Sequence, residues 1–294
     1  MNRAVKGAVS MKLSENITGV GHLGIPTADL AGSAAWYEQK LGFRKFYEKT
    51  VWNDGKLNVV FLELKDLVIE LCEQAQAGRD MQMRGDGILD HFAIDAPDFE
   101  NCCRRVEDQG LKYHASTPKG AVLYENIGPK GVRGANYVGP NQEVIELCHN
   151  CSVNYGYRTG LQGWSHLAVK VSDLQASVSF YEILGFTKVG EGYLDTPDGR
   201  LYIGFVDNHG FQLELIQMTG AGLQELKSRG AGHIDHIALN VKDAKDAFYE
   251  ARKAGCRVPD LVLKELPFFE HGIRYFMILG PDGEKIELNQ RLSW

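Results

Sequence analysis

Apolar and polar residues alternate in short runs along most of this chain, and longer stretches with helical spacing separate the runs. Gly19-Val20-Gly21-His22-Leu23-Gly24-Ile25 has the character of a half-buried strand. A polar Asp29-Leu30 step then opens a helical segment that carries Trp36-Tyr37 and stops at Leu41-Gly42-Phe43. Glycine after a periodic apolar run marks a helix end. Asp54-Gly55-Lys56, between β-rich runs, predicts a hairpin turn, and Leu67-Val68-Ile69-Glu70-Leu71 predicts a closing strand. The same order returns in the second half. There Gly163-Trp164-Ser165-His166-Leu167-Ala168-Val169 leads through Asp173-Leu174, Phe180-Tyr181, Leu184-Gly185-Phe186 and Asp198-Gly199-Arg200 to Phe211-Gln212-Leu213-Glu214-Leu215.

A second, divergent unit follows each of these. One starts at Ile88-Leu89-Asp90-His91-Phe92-Ala93-Ile94, passes a helix ending near Gly110, and closes on Val144-Ile145-Glu146-Leu147 after Gly139-Pro140. The other starts at Ile234-Asp235-His236-Ile237-Ala238-Leu239, passes a helix ending near Gly255, and closes on Lys285-Ile286-Glu287-Leu288 after Gly280-Pro281. Internal repetition at this scale defines the architecture. The fold class is α+β, built from four βαβββ modules at 17–80, 86–150, 163–222 and 231–292. We expect two domains, 17–151 and 163–294, joined by a Tyr- and Gly-rich linker at 152–162. Residues 1–16 read as a leader without ordered structure, with Met11 as an alternative start.

Each module places a histidine in its first strand and a glutamate in its last. Taken alone, such a histidine is usually a packed, hydrogen-bonded core residue. A glutamate between apolar neighbours is stranger, because burying an unpaired carboxylate costs several kcal/mol. Period-two geometry would let each glutamate face solvent, but that does not explain a matching histidine in all four modules. Two His and two Glu from paired modules form an N/O donor set for a divalent metal, Zn, Ni, Co, Mn or Fe, with room for water or substrate. The candidate ligands are His22, Glu70, His91, Glu146, His166, Glu214, His236 and Glu287.

Composition narrows the classes. The chain has 294 residues, 44% hydrophobic and 24% charged, enough for a real core without disulfide staples. A net charge of −6 without a basic block argues against nucleic acid or an anionic membrane as partner. No apolar run approaches the roughly 20 residues a membrane helix needs. The six cysteines lack framework spacing and read as reduced thiols, so we expect a cytoplasmic protein, and we take it as a monomer or homodimer.

The His-bearing first strands, the Trp/Phe-Tyr helices ending in Leu-Gly-Phe and the Gly-Pro steps before Ile-Glu-Leu endings resemble the vicinal oxygen chelate superfamily, over nearly everything from Ile17 onward. That superfamily includes glyoxalase I, extradiol dioxygenases and bleomycin resistance proteins. The resemblance implies glyoxalase-like domains with curved mixed sheets that enclose cavities. It also implies ligands in the order His, Glu, His, Glu, which each half supplies; whether modules 1 and 2 or modules 1 and 4 share a metal stays open. The implied activity is that of a metal-dependent lyase or isomerase. It would move a proton in a small α-hydroxycarbonyl compound through a metal-bound enediolate, with Glu146 and Glu287, then Glu70 and Glu214, as bases.

The family's glutathione-binding arginine is replaced by Pro26 in one half and Lys170 in the other, which argues against a glutathione adduct as substrate. Arg133 and Arg274, each in a Gly-apolar-Arg context before the last glutamate, are candidate substrate clamps, with His271 and Lys170 as further substrate contacts. Each Arg stands an odd number of residues before its Glu, so a break at the Gly-Pro step is needed to put both on one face. Two other readings compete. One is an extradiol-type dioxygenase on His166, His236 and Glu287; the other is a non-catalytic small-ligand-binding protein.

Overall fold

The computed structural model describes residues 11–52, 55–74, 84–197 and 199–293. A single helical turn, α1 (Leu13–Asn16), precedes module 1: β1 (Ile17–Pro26), α2 (Leu30–Leu41), β2 (Arg44–Trp52), β3 (Lys56–Leu64) and β4 (Leu67–Gln74). Module 2 holds β5 (Leu89–Asp95), α3 (Phe99–Asp108), β6 (Val122–Tyr124), β7 (Val132–Val138) and β8 (Val144–Asn150). Module 3 holds β9 (Trp164–Val171), α4 (Leu174–Ile183), β10 (Thr187–Thr196), β11 (Gly199–Asn208) and β12 (Phe211–Gln217). After α5 (Gly220–Ser228), module 4 holds β13 (His236–Val241), α6 (Ala244–Lys253), β14 (Lys264–Leu266), β15 (Ile273–Leu279) and β16 (Lys285–Arg291). Residues 1–10 of the expected leader, and Asp54 and Asp198 of the expected hairpin turns, lie outside the described residues.

The helices begin and end where local chemistry requires. Asp29 caps α2 by accepting from the Gly32 amide at 2.9 Å, and Asp173 caps α4 by accepting from Ala176 at 3.0 Å. Gly42 ends α2 at φ 78°, and Gly110, Gly185 and Gly255 take positive φ just past the other module helices. α1 and α5 have no counterpart in the sequence reading. α1 lies in the last residues of the expected leader, which are ordered with Leu13 and Asn16 buried, and α5 lies between modules 3 and 4.

Within each module the last strand lies parallel beside the first, and the remaining pairs are antiparallel. The modules then join in twos. One eight-stranded sheet, called A here, has the order β14-β15-β16-β13-β1-β4-β3-β2 and unites modules 1 and 4. The other, B, has the order β10-β11-β12-β9-β5-β8-β7-β6 and unites modules 2 and 3. The seams are the antiparallel pairs β1·β13 and β5·β9. A module alone leaves the outer edge of its first strand unpaired, and each edge finds its partner in the other half. The sheets therefore do not follow the stretches 17–151 and 163–294, since each stretch lends one module to each sheet. The break at 152–162 separates modules 2 and 3 along the chain, yet those two modules share a sheet.

The large core lies on the helix-covered faces of both sheets, where Leu23, Ile25, Tyr37, Ile69, Phe92, Ile145 and Tyr181 are fully or almost fully buried. Polar contacts bind the sheets to one another through it, two tyrosine–glutamate pairs among them. Tyr37 on α2 donates to Glu143 in the turn after Gly139-Pro140, and Tyr181 on α4 donates to Glu284 after Gly280-Pro281 at 3.1 Å. Each carboxylate also accepts a turn amide, from Asn141 at 2.7 Å and Asp282 at 3.1 Å. A Cβ on Gly139 or Gly280 would fall 2.4 or 2.0 Å from these carboxylates, so the glycines make room for them. Burial pushes the Glu284 carboxyl up to about 7, against hydrogen bonds that favour its ionised form.

A folded-state value above the unfolded one means that Glu284 contributes stability that is fully present below about pH 4.5 and is lost as pH rises toward 7. Glu284→Gln keeps an acceptor for Tyr181 without the charge. Urea unfolding at pH 5 and pH 8 is expected to show a smaller loss of stability in the variant than in the parent chain. Equal losses would contradict this account of the turn.

Candidate metal centres

The register of the two seams builds two clusters. In sheet A, Glu70, Gly24 and His236 lie in one cross-strand row, and His22, Ala238 and Glu287 lie in the next. In sheet B the rows are Glu146, Ala93, His166 and His91, Ala168, Glu214. Directly opposed residues share a face, as do residues two apart along a strand, so all four polar side chains project from the same face. The middle position of every row is glycine or alanine. This explains the repeated His-apolar-Gly/Ala pattern: the small residue forms a floor over which a histidine from one module meets a glutamate from the other.

In sheet A, His22 Nε2 and His236 Nε2 are 3.3 Å apart. Glu70 Oε2 lies 3.3 and 3.6 Å from them, and Glu287 Oε1 and Oε2 lie 3.9 and 4.0 Å from His22 and His236 respectively. In sheet B, His91 Nε2 and His166 Nε2 are also 3.3 Å apart. Glu146 Oε2 lies 3.2 and 3.1 Å from them, and Glu214 Oε2 lies 3.7 and 3.4 Å away. All eight residues are buried.

Such sets call for positive charge. Burial opposes protonation of His91, but hydrogen bonds to Asp90 and Glu146 outweigh it and raise the imidazole to about 9. His236 is raised to about 9 against the same penalty, by Asp235, Glu287 and Glu70. Burial would lift Glu146, yet His166 and His91 hold it down to about 2. Glu287 goes the other way. Burial pushes it up because its histidines are farther off, and its Oε1 is buried without a hydrogen-bond partner. The donor chemistry, the converging Nε2 atoms and this orphaned oxygen fit a divalent ion. His22, His236 and Glu287, and likewise His91, His166 and Glu214, have donor atoms within 4.8 Å of one another.

Residues behind the ligands orient them. His91 Nδ1 meets Asp90 at 2.9 Å, and Asp90 pairs with Lys170 from the neighbouring module. His236 Nδ1 meets Asp235 at 3.2 Å. A carboxylate on Nδ1 turns the Nε2 lone pair toward the cluster. The signal for both was the Asp-His dipeptide at the head of modules 2 and 4. Tyr124 and Tyr275, which the sequence reading did not place in a site, line the two cavities, and burial followed by the ligand carboxylates raises both phenols.

The chain matches the model of the Glyoxalase/Bleomycin resistance protein/Dioxygenase superfamily over residues 19–122 and 163–288. It belongs to that superfamily. It is similar in fold to glyoxalase I from Zea mays (18% identity, 92% of each chain, TM-score 0.65). It is also similar in fold to a putative dioxygenase from Bacillus subtilis subsp. subtilis str. 168 (14% identity, 95% of this chain and 86% of that one, TM-score 0.64). An uncharacterized protein of Bacillus subtilis (strain 168), YwbC, is 36% identical over 129 residues, 43% of this chain and 95% of its own length.

The other expected site residues fall outside the clusters. Strands β7 and β8 pair without a bulge from Val132↔Asn150 to Val138↔Val144, and β15 and β16 do so from Ile273↔Arg291 to Leu279↔Lys285. The odd spacing therefore holds, and Arg133 and Arg274 project from the face opposite Glu146 and Glu287. Arg133 lies over the Phe99 ring at 4.6 Å and pairs with Glu100 on α3, while Arg274 pairs with Glu265 at 2.7 Å. The clamp expected of them is corrected accordingly. His271 sits in the turn before β15, 3.7 Å from Glu270, and does not line the cavity over its sheet. Lys170 does line a cavity, but its ammonium is engaged by Asp90.

Gly134 offers a test confined to one cluster. A Cβ there would lie 2.0 Å from Glu146 Oε1 and 2.8 Å from the Tyr124 ring. Gly134→Ala is expected to weaken metal binding at the sheet B cluster by roughly tenfold, within the range for groups that orient ligands. The sheet A cluster should be unchanged, as read by competitive chelator titration. Equal affinity at both clusters would refute the cradle.

Proposed function

We propose that the chain is a metal-dependent lyase or isomerase that moves a proton between neighbouring carbons of a small α-hydroxycarbonyl compound. The observation behind this reading is the twofold occurrence of a His2Glu2 set at a cavity, with all four residues lining it over sheet B and Glu70, His236 and Glu287 lining it over sheet A. A divalent ion held by His22, Glu70, His236 and Glu287, or by His91, Glu146, His166 and Glu214, supplies a Lewis acid that draws electron density from two adjacent substrate oxygens.

The chain's residues do the rest. A glutamate carboxylate takes the proton from the hydroxyl-bearing carbon and returns it to the next one, while the hydroxyl proton passes to the former carbonyl oxygen. Glu287 suits this role because its Oε1 has no other partner, and Glu146 suits it because it lines the cavity over sheet B. Glu70 and Glu214 complete the two sets. The histidines, held at Nδ1 by Asp90 and Asp235 in two of the four cases, keep the carboxylates in place. With Lys170 engaged by Asp90 and Pro26 uncharged, an anionic thiol adduct such as that of glutathione is not the expected substrate.

The test is solvent exchange. The metal-loaded chain, incubated in deuterium oxide with small α-hydroxyketones, should place deuterium on carbon, seen by proton NMR. Glu146→Gln with Glu287→Gln should lose this exchange. Oxygen uptake with catechol and iron(II), without carbon exchange, would overturn the proposal in favour of ring cleavage.

A further inference from the structure

The two clusters share a ligand set but not their surroundings. The cavity over sheet A is about 350 Å³ and that over sheet B about 820 Å³. In both, two ligand carboxylates and a divalent ion would cancel, so the remaining charge of the wall decides what can enter.

The walls differ in charge. Over sheet A, Asp235 carries two: Arg84 Nη1 at 3.0 Å and Lys285 Nζ at 3.0 Å, and all three side chains line the cavity. Arg84 Nη1 also donates to the Gly232 carbonyl at 2.9 Å, which leaves other guanidinium donors for an incoming group. Over sheet B, Asp90 carries Lys170 alone, so that pair is balanced; the further charged lining residues Asp86, Glu125, Glu191 and Asp195 are acidic, and Arg229, Lys188 and Arg200 pair with Asp86, Glu191 and Asp195, so no cation is left in excess. Both cavities present aromatic and apolar surfaces, Phe268 and Tyr275 over sheet A and Tyr124, Tyr193, Leu194 and Phe205 over sheet B, but only the larger one leaves room for a bulky arm.

We propose that the two sites take different substrates. The sheet A site takes a compact anion with two chelating oxygens, such as a short α-hydroxyketone that also bears a carboxylate, and that carboxylate meets Arg84 and Lys285. The sheet B site takes an uncharged chelating compound with an apolar or aromatic arm. This rests on the reading of both clusters as metal sites.

The test uses cobalt(II)-loaded full-length chain and its visible absorption spectrum. The probes are oxalate, a small dianionic chelator, and α-hydroxyacetophenone, a neutral one with a phenyl arm. His91→Ala with His166→Ala leaves the sheet A site, and His22→Ala with His236→Ala leaves the sheet B site. Oxalate should perturb the first protein at concentrations on the order of tenfold lower than the second, as one unpaired charge a few ångströms away supplies at a partly wet site. α-Hydroxyacetophenone should show the reverse order. Arg84→Gln, which removes no ligand, should weaken oxalate binding about tenfold in the otherwise unaltered chain, with a smaller effect on cobalt affinity because Lys285 still holds Asp235. Cobalt bound at both sites with no discrimination between probes, or oxalate binding indifferent to Arg84→Gln, would overturn this inference alone. Failure to bind cobalt at either site would remove the proposed function and this inference with it.

Discussion

The antiparallel pairing of first strands across the two halves of the chain is the contact on which both candidate sites depend. A module by itself holds one histidine and one glutamate, and its His lies in a different cross-strand row from its Glu. The seams β1·β13 and β5·β9 bring the second pair into register, so that each row runs glutamate, small residue, histidine through the joint. A slip of one residue along either seam would send a histidine to the opposite face. Gly24, Ala93, Ala168 and Ala238 keep the floor low, and the Tyr37–Glu143 and Tyr181–Glu284 contacts couple the two sheets.

The charges in this arrangement are held under tension. Each site buries two carboxylates, and taking a charge from water costs several kcal/mol when it is not compensated. Asp90 and Asp235 add a further carboxylate behind one histidine of each site, and their own cations offset it. Neighbouring carboxylates raise the His91 and His236 imidazoles and burial pushes the Glu287 carboxyl up, so both sets favour added positive charge. A divalent ion would supply that charge, so its binding should also stabilise the fold by mass action.

Much of this was legible in the sequence because it rests on repetition. Four histidines and four glutamates at matching places marked the residues that the two seams bring together, and helix ends at Gly42, Gly110, Gly185 and Gly255 followed from the chemistry of positive φ. The choice of module partner was not legible. All four first strands carry the same His-apolar-small pattern, so local sequence permits any of them to pair. The arginines were misplaced for a different reason. Arg133 and Arg274 share their context because both pack on the helix side of a regular hairpin, and the Gly-Pro step taken as a break in the strand instead makes room for Glu143 and Glu284. The role of Lys170 depends on Asp90, which is distant in sequence and adjacent only because β5 and β9 pair.

The central claim is that each site takes one module from each half, and metal stoichiometry in paired variants tests it most directly. His22→Ala with His236→Ala disables one site in this arrangement, so the chain should retain one tightly bound divalent ion. His22→Ala with His91→Ala, two changes within one half, disables one ligand in each site and should retain none. If modules within a half shared a site instead, the second variant would keep one ion and the first would keep none.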